Sequence, residues 1–122
     1  MKRLINSFGF AFKGLRYAAT TQPNFRIHLL LTVIAIALGF VLGISFNEWE
    51  WIMLSIALVL ATELLNTGIE TLTDLVSPGY NEKAGRVKDV CAGAVVIVAL
   101  FALLTGIVIF LPKLIVLIRH AA

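Results

Sequence analysis

Residues 49–72 read WEWIMLSIALVLATELLNTGIETL. The stretch is apolar from Ile52 to Ala61, apart from Ser55. It then carries Glu63, Asn66 and Glu70, with Asp74 just beyond. A run of this length suits a helix crossing the roughly 30 Å hydrocarbon layer, which takes about 20 apolar residues. At about 100° per residue, Glu63, Asn66, Glu70 and Asp74 fall within a stripe roughly 80° wide. Three carboxylates and an amide therefore share one face of one helix. Glu63 stands roughly 16 Å along the axis from Asp74, which predicts a position well inside the cytoplasmic half of the membrane. An ionised side chain at that depth costs on the order of 3 kcal/mol or more, so it persists where it has partners, faces protein, or binds cations. The structural alternative is polar glue between helices, for which Ser or Asn serves better than carboxylate.

Two more apolar runs flank this one. Residues 27–45 hold IHLLLTVIAIALGFVLGIS and residues 90–111 hold VCAGAVVIVALFALLTGIVIFL. Open strands are excluded in hydrocarbon, where unpaired backbone groups find no water. The 122 residues are thus expected to form a single all-α membrane domain over 1–122, with spans at 27–45, 49–72 and 90–111. The composition agrees: 60% of residues are hydrophobic, where soluble domains are about 45–50% apolar, and a soluble chain this short could not hide that surface in one core.

Residues 3–20 read as an amphipathic helix on the membrane surface. Leu4, Ile5, Phe8, Phe12 and Leu15 recur at helical spacing, while Lys13 and Arg16 supply charge. The alternative is a short cap with no membrane role. Pro23 should interrupt any helix running from here into the first span. No long apolar run with an Ala-x-Ala site opens the chain, which argues against a signal peptide. Pro112 follows the third span, and the tail beyond it reads as a kinked or interfacial helix.

The formal charge is +3. The basic residues form no stripe with interleaved aromatics, so nucleic acid is not indicated. They sit at span ends: Lys2, Arg3, Lys13, Arg16 and Arg26 before the first span, and Lys83, Arg86 and Lys88 between the second and third. The loop Ser45-Phe46-Asn47-Glu48 has none. The positive-inside rule places the N-terminus and the 77–89 loop in the cytoplasm, with Trp49 and Trp51 in the opposite interfacial belt. Cys91 is the one cysteine, so no intrachain disulfide can form. Gly39 and Gly43 make a small-xxx-small pair, a weak packing signal.

Lys88 and Asp89 mark the cytoplasmic entry of the third span, where an antiparallel neighbour brings Lys88 to the lower end of the acidic stripe. Taken alone they read as an interfacial anchor. Arg26 and His28 open the first span, and a lone histidine there is more often structural than a ligand or base. Carboxylates, a lysine and an aspartate at one membrane face suit phosphoryl transfer, since Mg²⁺ takes one or two carboxylates plus phosphates and the attacking hydroxyl needs a positioned base. No Walker or Gly-rich nucleotide loop is present, nor any zinc-ligand spacing or Ser/His/Asp set.

Over nearly its whole length the chain resembles the bacterial diacylglycerol kinase family, including its undecaprenol kinase branch. The matching segments are FKGLRYA (12–18), NFRIH (24–28), ELLNTGIE (63–70) with Asp74, and VKDVCAGAV (87–95). The resemblance implies a homotrimeric inner-membrane enzyme with sites shared between subunits. It implies transfer of the γ-phosphate of ATP, with Mg²⁺, to a lipid hydroxyl, giving phosphatidate or undecaprenyl phosphate. By match, Glu63 is the base with Asn66 supporting it, and Glu70 holds metal. Lys88, Asp89, Tyr80, Asn81, Asp74 and Arg3 serve the nucleotide, and Phe25, Arg26 and Ala92 the lipid. The family's second metal glutamate is Gln22 here, a weaker ligand, and Phe10 replaces a tyrosine of some relatives. The forms NFRIH and LVSPGYN look closer to the undecaprenol branch. Two other readings are a proton-coupled transporter working through Glu63 and a catalytically impaired scaffold. The transporter requires a polar path to both faces, and nothing polar but Ser55 stands between Ala61 and Trp51.

Overall fold

A computed structural model describes residues 1–122 as four helices: α1 (Lys2–Thr21), α2 (Pro23–Leu42), α3 (Phe46–Val76) and α4 (Glu82–Ala121). The last three are long and apolar enough to cross a membrane, so the all-helical expectation with three spanning helices and an amphipathic N-terminal one holds. Each break has a local cause. Gln22 is extended (φ −112°, ψ 105°), the conformation favoured before proline, and Pro23 opens α2 at its first position, where a missing N–H costs nothing. Arg26 Nη1 reaches back across this corner and donates to the carbonyls of Ala19 (3.0 Å) and Thr20 (3.1 Å). Carbonyls at the end of α1 that have no helical partner are thereby satisfied.

Gly43 ends α2 in the left-handed conformation (φ 59°, ψ 50°), which glycine adopts without a Cβ penalty. Ser45 then caps α3 in a reciprocal box: Ser45 Oγ accepts from Glu48 N (3.2 Å) and Glu48 Oε1 from Ser45 N (3.0 Å). Asn81 does the same for α4, its Oδ1 accepting from Ala84 N (3.1 Å).

α3 and α4 form the main antiparallel pair, and α2 packs on α3. An ion pair stands toward each end of the pair: Lys88 Nζ to Asp74 Oδ1 (2.5 Å) and Lys113 Nζ to Glu48 Oε1 (3.2 Å). At the Glu48 end, Ile44, Ile52, Ile109 and Phe110 make the apolar core. There Trp49 lies over Gly39, where a Cβ would stand 2.5 Å from Trp49 Cη2, and its ring meets Phe40 with centroids 5.0 Å apart. Helices in lipid associate through such close packing, because hydrocarbon supplies no hydrophobic drive between them. Only 11 of the 122 residues are buried, so most apolar side chains face outward, as an apolar surround requires.

The helix that carries the third apolar run covers 82–121, so it extends beyond 90–111 at both ends and runs through Pro112 without ending. Proline removes one backbone donor and crowds one turn, yet a long apolar helix has no better alternative for its remaining backbone groups. His28, which Glu63 meets, lies in the second turn of α2, about 8 Å from its start, whereas Glu63 is about 20 Å from the end of α3. α3 and its partner α4 therefore project beyond the start of α2, with Glu70, Asp74 and Lys88 on that projection.

Candidate functional site

The acidic stripe grades from buried to exposed along α3. Glu63 is 3% exposed, Asn66 and Glu70 are half-buried, and Asp74 is exposed. The neighbour differs at each level: His28 of α2 meets Glu63, while Asp74 meets Lys88 of α4 at the surface. His28 Nε2 stands 3.3 Å from Glu63 Oε1. The two are within ion-pair distance but not aligned for a hydrogen bond, so Oε1 is buried without a hydrogen-bond partner. One turn on, Asn66 Nδ2 donates to Glu70 Oε1 (3.3 Å), and Asn66 Oδ1 is likewise buried and unpartnered. Buried polar atoms are normally paired, and exceptions gather where chemistry is done. The hydroxyls of the same helix are spent internally: Thr67 Oγ1 donates to Glu63 O (2.9 Å) and Ser55 Oγ to Trp51 O (3.0 Å).

Lys88 joins the stripe from α4 through Asp74. Asp89 and Ala92 are exposed on α4 nearby. Gln22 stands half-buried at the α1–α2 corner, and its side chain caps neither helix. Within one chain, no three His, Cys, Asp or Glu side chains gather as a ligand cluster. Glu70 and Asn66 are the adjoining oxygen donors, and they suit a hard cation that draws its remaining ligands from phosphate and water.

Other candidates have structural duties. Asn81 caps α4 and Arg26 closes the first corner. Phe25 is among the most enclosed side chains, at 2% exposure. Tyr80 is 99% exposed. Arg3 lies exposed at the start of α1. Phe10, also exposed, receives Lys13 Nζ at 5.6 Å from its ring centroid.

A cavity of about 470 Å³ runs between α2, α3 and α4. Its walls are apolar, with Ala99, Ala102, Gly106 and Phe110 on the α4 side, and the polar side chains on it are His28, Thr32 and Ser55. His28 both lines this cavity and touches Glu63. Sequence reasoning found the carboxylates through their helical spacing and missed His28, whose one signal was its place in the second turn of a span.

Fold and site together define a polytopic helical membrane protein whose polar groups converge where an apolar cavity meets an acidic helix face. The chain belongs to the prokaryotic diacylglycerol kinase family, whose model matches residues 9–110. It is 37% identical over 114 residues to an undecaprenol kinase of Bacillus subtilis, covering 93% of each chain. It is 39% identical to a diacylglycerol kinase of Synechocystis over 91% of this chain and 64% of that one. A diacylglycerol kinase of Escherichia coli is 31% identical over 84% of each.

Proposed function

We propose that this protein is a lipid kinase that moves the γ-phosphate of ATP onto the hydroxyl of diacylglycerol or undecaprenol at the cytoplasmic face of the inner membrane. The observation that carries the reading is Glu63, a buried carboxylate beside an apolar cavity with no hydrogen bond to its enclosed oxygen. A lipid alcohol is the substrate such a place suits: its chain needs the cavity and its hydroxyl needs a base. Glu63 takes the hydroxyl proton as the oxygen attacks phosphorus, and Asn66 holds the adjoining end of the site through Glu70.

Mg²⁺ fits the donors present, because Glu70 offers a carboxylate and Asn66 Oδ1 lacks a partner, with Gln22 as a weaker ligand from the α1–α2 corner. Bound there, it neutralises charge on the phosphates. Lys88, with Asp74 beside it, supplies positive charge to the nucleotide on the projecting turns. Asp89, Tyr80, Asn81 and Arg3 are assigned to the nucleotide with it, as the family resemblance implies. Phe25 and Arg26 shape the corner through which the lipid reaches Glu63, and Ala92 leaves room on α4. Two relatives named for diacylglycerol and one named for undecaprenol support both lipids as candidates. The assembly that the family resemblance implies is a homotrimer with each site completed by a neighbour.

The transporter reading is not favoured. Beyond His28 the cavity offers only Thr32 and Ser55 as polar side chains, both hydroxyls donate to their own helix, and no ionisable group continues toward the other face. The test is purified protein in mixed micelles with labelled ATP and the two lipids in competition. Label in either lipid is expected, and the ratio assigns the substrate. Label in neither overturns the proposal.

A further inference from the structure

We propose that His28 is the positioning residue for Glu63, holding the carboxylate in place from the wall of the apolar cavity. The inference rests on the kinase reading and goes beyond it, since it assigns a residue that the carboxylate stripe does not contain.

Glu63 is short of partners. Its side chain is 4% exposed, and its Oε1 accepts no hydrogen bond. A carboxylate so enclosed needs an opposite charge or a donor. On its own helix the nearest ionisable group is Glu70, about two turns away, which adds only repulsion. Thr67, one turn away, is spent on the Glu63 carbonyl. Lys88 on α4 is paired with Asp74 about three turns further along. α1 contributes Ala18 as its buried residue. α2 alone brings a basic group into contact: His28 Nε2, 3.3 Å from Oε1.

The histidine is itself held. Its ring is one-fifth exposed and its turn packs against α3, so the imidazole has a fixed approach. The contact is made at Oε1, which leaves Oε2 for an incoming hydroxyl. Nε2 needs only a small shift to align with Oε1, as catalytic hydrogen bonds commonly tighten when substrate binds. His28 touches no reacting atom in this scheme. It sets the position of the group that does, so its loss lowers turnover without disturbing the nucleotide end, which lies on the projecting turns around Lys88.

The experiment compares His28→Leu and His28→Gln with the wild type in the full chain, in mixed micelles with lipid alcohol and MgATP. We expect kcat of His28→Leu to fall about tenfold or more, with KM for ATP changing less than about twofold. His28→Gln, which keeps a donor of similar reach, recovers most of the loss. Equal losses in His28→Leu and His28→Gln, or a rise in KM for ATP at constant kcat, overturn the inference. If His28→Leu fails to fold by thermal unfolding in detergent, the Gln variant decides: near wild-type kcat supports the inference, and a loss like that of Glu63→Gln contradicts it. A wild type that phosphorylates no lipid sinks the kinase reading instead, so the two failures are distinguishable.

Discussion

At the scale of single residues, the same helix face holds side chains in very different surroundings. Glu63 is enclosed, while Asp74 and Lys88 meet at the surface with 64% and 40% of their side chains exposed. An exposed pair of this kind contributes little to stability, because solvent screens it. Lys88→Ala should therefore leave thermal unfolding in detergent nearly unchanged while raising KM for ATP several-fold. A large loss of stability with KM unchanged would assign Lys88 to the fold instead. Gly39 makes the opposite case. A Cβ there would overlap the Trp49 ring, so Gly39→Ala should destabilise by about 1–3 kcal/mol, read by unfolding in detergent, with little change in KM. The acidic stripe was legible in the sequence because carboxylates in an apolar run are costly and their spacing matched one helix face. His28 was not, since a lone histidine carries no periodicity and its partner lies 35 positions away. The duties of Arg26 and Asn81 were hidden for a related reason: caps and corners are set by backbone groups that composition does not display.

At the scale of elements, the chain is punctuated where its chemistry demands. Pro23, Gly43 with Ser45, and Asn81 each sit at a helix boundary. Ser45→Ala removes one side of the capping box and should cost about 1 kcal/mol, measured by the same unfolding assay. No change would mean that the Lys113–Glu48 pair already fixes that corner. The break before α2 could be read because proline acts locally, whereas the serine–glutamate cap of α3 emerged only with the structure. The full extent of α4 could not. Its polar first turns resemble a loop in composition, and Pro112 resembles a stop signal. Both are overridden by pairing with α3 below and by the need to keep backbone bonds within an apolar tail above.

At the scale of the whole molecule, the outward-facing apolar surface and the asymmetric basic residues fix what surrounds the protein. The 77–89 loop carries Lys83, Arg86 and Lys88, and Tyr80 within it is almost fully exposed. In a Cys91→Ser background, Tyr80→Cys should react with a membrane-impermeant maleimide in inverted inner-membrane vesicles and not in intact cells. Labelling from outside would reverse the proposed topology. Spans were legible at this scale because hydrocarbon sets their length. The offset by which the α3–α4 pair outruns α2 was not, because it is a property of packing between distant segments.

The central claim is that Glu63 takes a proton from a lipid alcohol, and the measurement closest to it is initial-rate transfer of labelled phosphate from MgATP to lipid by wild type and Glu63→Gln, with ATP binding followed in parallel. In Glu63→Gln, kcat is expected to fall about 10²–10⁴-fold with ATP binding retained. A Glu63→Gln protein that phosphorylates lipid at the wild-type rate would contradict it.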